Sequence, residues 1–378
     1  MTRTEKLLAE LIALPSVNPA FLPPRHPHAG EQRVAELLAA RAATAGLEVE
    51  FQKVLAAGRQ RSNVIARLRP QNQIKQTILL APHLDTVDAD DSQFVPQRKH
   101  GQLHGRGASD TKGSVAAMLV ALCELATSQA RPLETEIVLA GLVDEEHAQA
   151  GSRALAASGF KAELAIVGEP TKLQVVTAHK GSLWLQLETR GRAAHGATPH
   201  LGKNAVHEMA HVVDVLETDY ATQLRRRKHP LLGRGTVNVG KISGGTQPNI
   251  VPDRCTIAID RRTLPGETEA GVRREIAALL RAKKLTAKIF NTKLAPALAL
   301  ETDAKLPLVR QFLRCAGQTR PAGVDYFCDA AVLAAGGIPS VVFGPGDIAQ
   351  AHTADEWISL TQLERGKDLL VRFFKSLP

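Results

Sequence analysis

Three apolar stretches in this chain each run straight into an acidic or histidine cluster. Residues 76–82 lead into His83-Leu84-Asp85-Thr86-Val87, residues 134–143 into Asp144-Glu145-Glu146, and residues 163–168 into Glu169. Runs of that length, apolar almost throughout, read as strands covered on both faces. Further strands are expected over 62–68 and 338–343. Helices are expected over 4–14, 30–45, 112–128, 305–316, 325–335 and 361–376. Strands alternating with helices predict an α/β fold with a mostly parallel sheet flanked by helices. In such sheets ligands gather at the carboxyl ends of the strands, where these clusters lie.

The rhythm changes between residues 180 and 293. Strand patterns at 182–190, 235–243, 253–261 and 285–291 alternate with helical patterns at 203–219 and 266–283. The order β-α-β-β-α-β predicts a ferredoxin-like α+β domain. Its place in the chain makes it an insertion, a lid, within a discontinuous larger domain. The expected division is 1–179 and 294–378 for the catalytic domain and 180–293 for the lid.

The chain's net charge of +9 is concentrated in that insertion, which holds 20 Lys and Arg against 10 Asp and Glu. Its one dense run, Arg225-Arg226-Arg227-Lys228, has no aromatic neighbours on which bases could stack, so no nucleic-acid partner is expected. A basic lid does suit small anionic substrates. A hydrophobic share of 44% excludes a disordered chain, and no apolar run reaches the roughly 18 residues of a membrane span. Cys123, Cys255, Cys315 and Cys328 form no CxxC and read as thiols in a reducing compartment, so a cytoplasmic protein is expected.

Two further clusters complete the set. Gly105-Arg106-Gly107-Ala108-Ser109-Asp110-Thr111 opens a long helix, and residues 351–357 read Ala-His-Thr-Ala-Asp-Glu-Trp. Two imidazoles and three carboxylates suit divalent ions of the zinc, cobalt or manganese type. A carboxylate between two such ions can bridge them, and the pair can activate one water. Adjacent Glu145 and Glu146 allow one to ligate while the other stays free as a general base. Asp85, two residues past His83, can fix that ring from behind.

These motifs resemble the co-catalytic zinc hydrolases that include acetylornithine deacetylase, succinyl-diaminopimelate desuccinylase, aminoacylase and glutamate carboxypeptidase. The resemblance covers nearly the whole chain. It implies one ion on His83 and Glu169, a second on Glu146 and His352, and Asp110 as the bridge. It implies Glu145 as the general acid/base, supported by Asp85. A histidine matching His195 would complete the active site of a partner in a homodimer joined through the lid. Arg262, Asn249 and Gly344 match substrate-binding segments. The implied reaction is hydrolysis of the amide bond of a small N-acyl-L-amino acid. A carboxypeptidase or dipeptidase acting on short peptides or N-acyl glutamates is the alternative. Thr111, His147-Ala148-Gln149 and Cys328 depart from the family pattern and bear on the substrate. None removes a metal ligand.

Overall fold

The computed structural model describes residues 1–56, 58–292 and 297–378. They form two compact units: 1–177 with 302–322 and 328–378, and 178–301 with 323–327. The expected boundary between 293 and 294 lies outside the described residues.

The larger unit is built on a mixed sheet. In spatial order its strands are Glu48–Ala56, Arg59–Leu68, Thr135–Gly141, Gln76–Pro82, Leu164–Gly168 and Ser340–Val342. The first two pair antiparallel with each other, and Arg59–Leu68 pairs antiparallel with Thr135–Gly141. From Thr135–Gly141 to Ser340–Val342 every pairing is parallel, and Ser340–Val342 then pairs antiparallel with the strand Val176–His179. Thr135–Gly141 and Leu164–Gly168 are buried at every position, as strands covered on both faces must be. Helices Arg3–Ile12, Lys112–Ala126 and Leu360–Lys375 supply apolar side chains to the same core. Each fully buried Leu or Ile there contributes about 1.5–3 kcal/mol. Because the four central strands run parallel, their carboxyl ends share one edge. His83, the Asp144–Glu146 turn, Glu169 and Gly344 all follow those ends.

The smaller unit is an antiparallel sheet in the order Thr236–Gly244, Arg254–Thr263, Gly181–Arg190, Lys288–Asn291. Residues Cys255 to Thr263 alternate strictly between buried and half-buried, the period-two signature of a sheet with one covered face. Leu185, Leu187, Ile257 and Ile259 meet Met209, Val212 and Ile276 from helices Ala205–Val215 and Glu269–Ala282.

One strand has no counterpart in the sequence reading, and one expected helix is shorter. Strand Glu48–Ala56 carries no apolar run because most of its side chains are exposed on the sheet's edge. The helix expected over 325–335 forms only at Ala330–Ala335, after a short strand at Ala322–Val324.

Candidate metal centre

Asp110 stands between two histidines. Its Oδ1 lies 3.1 Å from His83 Nε2, and its Oδ2 lies 3.3 Å from His352 Nε2. Glu169 Oε1 lies 3.8 Å from His83 Nε2 on the first side, and Glu146 Oε2 lies 3.2 Å from His352 Nε2 on the second. His83, Asp110 and Glu146 also offer ligand atoms that all lie within 4.8 Å of one another. The donor set is two imidazoles and three carboxylates, each carboxylate buried, with Glu146 Oε1 left without a hydrogen-bond partner. An unspent buried carboxylate oxygen among imidazoles fits divalent cations well.

Electrostatics tell the same story. Burial pushes Asp110 upward, but hydrogen bonds from His352 and His83 outweigh it and hold the carboxyl low. Those carboxylates in turn push His352 up to about 10, through Asp110 first and Glu146 second. Burial pushes Glu145 and Glu169 well above the usual carboxylate range, opposed in part by His83.

The turn at 144–146 is held from beneath. Asp85 Oδ1 accepts from the Glu145 N–H at 3.0 Å and Asp85 Oδ2 from the Glu146 N–H at 3.1 Å. Asp85 meets the His83 ring twice, its main-chain carbonyl 3.0 Å and its carboxylate Oδ1 3.5 Å from Nδ1. The carboxylate is occupied by the turn and by Asn18 Nδ2 at 2.7 Å. Among the described residues, no hydrogen bond or ion pair restrains the Glu145 carboxylate.

The model of peptidase family M20/M25/M40 matches residues 79–376. The chain belongs to that family. This M20 protein is 31% identical to the acetylornithine deacetylase of Myxococcus xanthus, over 88% of this chain and 89% of that one. Its fold is that of the aminopeptidase PepT from Bacillus cereus, with a TM-score of 0.81, 24% identity and coverage of 99% and 97%. It is also that of the Bacillus subtilis YXEP protein, described as a dinuclear metal binding peptidase, with a TM-score of 0.71, 13% identity and coverage of 99% and 97%. As a family member the chain is a hydrolase acting on amide bonds.

The M20 chain carries the remaining candidates in two places. Gly344 is packed behind Glu169: a Cβ there would lie 2.6 Å from the Glu169 carbonyl oxygen and 2.3 Å from Ser114 Oγ. Its N–H is already taken by Thr171 Oγ1 at 3.1 Å, so it shapes the ligand loop instead of offering a donor to substrate. His195, Asn249 and Arg262 belong to the smaller unit. His195 bridges to Ile250, and the Gly196 N–H donates to the Asn249 carbonyl at 2.7 Å, which brings the first two together. Arg262 is apart from them, paired with Asp260 at 2.9 Å and stacked over Phe327 at 5.9 Å.

Sequence reasoning missed the supports of this centre. Asp144 has a left-handed backbone (φ 71°), and its Oδ1 accepts from Arg61 at 2.7 Å and from Asn18 at 3.0 Å. Arg61 also pairs with Glu31. Asp329 is buried and accepts from Ser152 Oγ at 2.5 Å; burial pushes its carboxyl up to about 6. Among the departures, Thr111 is buried and donates to the His83 carbonyl at 3.1 Å, and Cys328 is buried with its thiol pushed well up. His147 is exposed.

Proposed function

We propose that this protein is a two-metal hydrolase that cleaves the amide bond of small N-acyl-L-amino acids, of the acetylornithine or succinyl-diaminopimelate kind. The products are a carboxylate and a free amino acid. The observation that carries the reading is Asp110 with one oxygen toward each histidine and an unrestrained Glu145 close by. His83 and Glu169 would hold one ion, His352 and Glu146 the other, with Asp110 common to both. Zinc suits these donors best, and cobalt and manganese fit the same set. When bound, the ions supply Lewis acidity at the scissile carbonyl and at the attacking water.

The chain's own residues supply the rest. Glu145 takes a proton from the attacking water and passes it to the departing nitrogen. The Ala197 N–H donates to His195 Nδ1 at 3.1 Å, which leaves the other ring nitrogen to carry hydrogen. That Nε2–H is the donor a developing oxyanion needs. Arg262 offers a planar fork to a substrate carboxylate.

A homodimer is part of the proposal. His195 is bridged to Ile250, just before strand Arg254–Thr263, whereas Arg262 lies near that strand's far end. The eight residue-to-residue steps of strand from Arg254 to Arg262 cover about 26 Å. No small acyl amino acid spans that gap, so His195 and Arg262 of one chain serve different active sites.

The likeness to PepT supports a second reading, cleavage of short peptides with Arg262 on the terminal carboxylate. Metal analysis paired with amine release from N-acetyl and N-succinyl amino acids and dipeptides separates the two. About two ions per chain with release from acyl amino acids supports deacylation. Cleavage of dipeptides alone favours the peptidase, and no metal with no activity after zinc addition overturns both.

A further inference from the structure

Glu356 is a buried carboxylate with four donors and no role in the reaction described above. Its Oε1 accepts from the N–H groups of Ser109 and Asp110 at 2.8 and 2.9 Å. Its Oε2 accepts from the Gly107 N–H at 2.9 Å and from Arg106 Nη1 at 2.8 Å. The residue is 1% exposed. One carboxylate thus gathers the whole turn that ends in Asp110, through charge-assisted bonds. The Glu356 carbonyl also accepts from the Gly105 N–H at 2.9 Å, and strand Trp357–Ser359 pairs with Gln102–His104.

Position in the chain gives this cradle its meaning. Glu356 lies four residues beyond His352, whose backbone is itself left-handed (φ 63°). The loop that carries a ligand of the second ion therefore grips the backbone of the shared ligand. We propose that Glu356 is a positioning residue that fixes Asp110 against His352 and so decides whether the centre holds two ions or one. This rests on the two-metal reading above. The first ion shares Asp110, but its other ligands, His83 and Glu169, come from strand ends outside this grip, whereas His352 lies on the gripping loop; the second ion should therefore lose far more than the first.

Glu356→Gln tests it. An amide offers one acceptor oxygen and turns an NH2 toward N–H donors, leaving buried donors unmatched. Wild type and variant are stripped with chelator and titrated with zinc by calorimetry, with metal counted by elemental analysis. The first ion should bind within about threefold of wild type, and the second about 10–100-fold more weakly, the range typical of groups that orient ligands. Equal second-ion affinity would overturn the inference while leaving the two-metal reading intact. Equal weakening of both ions, with lowered stability of the ion-free protein in urea, would also overturn it, because that is general loosening. Wild-type protein that takes up only one ion would overturn the two-metal reading itself. Should Glu356→Gln fail to fold, Arg106→Gln removes a single donor and is read by the same titration. A selective loss at the second ion is expected, and unchanged affinities overturn the inference.

Discussion

The N–H of Glu145 donates to Asp85 Oδ1 at 3.0 Å, so the backbone beneath the proposed base is anchored while its carboxylate is left unrestrained. Glu146, anchored by the same Asp85 through its own N–H, differs in setting its carboxylate against His352, as a metal ligand would. Glu145→Gln should therefore retain both ions and lose about 10²–10⁴-fold in kcat, the usual worth of a positioned acid/base. Elemental analysis alongside steady-state rates decides it. Loss of an ion would make Glu145 a ligand.

Asp85 holds two successive N–H groups of the turn and, through its carbonyl, the His83 ring. Asp85→Ala should weaken metal binding about 10–100-fold and lower the rate with it. A chelator-competition titration measures the first effect. Unchanged affinity would show that the turn holds itself.

In the ion-free protein, Asp110 and Glu146 raise His352 to about 10, so the ring is protonated at neutral pH. A cation must displace that proton. Zinc uptake should release protons, and affinity should climb as pH rises toward 10. Calorimetry in buffers of different ionisation enthalpy counts the protons; a count of zero would refute the pairing. The sign for stability is opposite. A raised folded pKa stabilises fully below the unfolded value of 6.5, and its contribution fades as pH rises through about 10.

His195→Ala should cut kcat about 10²–10³-fold with metal content unchanged, as removal of an oxyanion donor does. Mixed dimers of His195→Ala with Glu145→Gln should regain activity, since one of the two sites then has both groups intact. Failure to regain any would place His195 in its own chain's site.

Much of this was legible before any coordinates, and the reason is geometric. Parallel strands bring their carboxyl ends to one edge, so an acidic residue directly after an apolar run is marked for that edge. His83, Glu145, Glu146 and Glu169 carry that mark. Asn18, Arg61 and Glu31 do not, because each is a lone polar residue whose partner is set by tertiary packing. Arg61 meets Asp144 across 83 positions, and no local period announces it. Glu356 lies inside the cluster at 351–357, where no local pattern marks it out. Only its four donors reveal its use. Gly344 lies in the expected loop, packed so closely behind Glu169 that a side chain would not fit, a constraint no local pattern announces.

Asp110 and Glu356 are 246 residues apart in sequence, and the centre assembles only when that span has closed. Closing a long loop is entropically only a little dearer than closing a short one, about 0.6 kcal/mol per doubling. An unfolded chain presents these donors scattered and holds an ion weakly. A divalent ion held here would therefore discriminate finished molecules from unfinished ones. At a free concentration one hundred times its dissociation constant it would deepen the native well by about 2.7 kcal/mol. Scarcity of the ion would then reduce the amount of folded protein as well as the rate of each molecule.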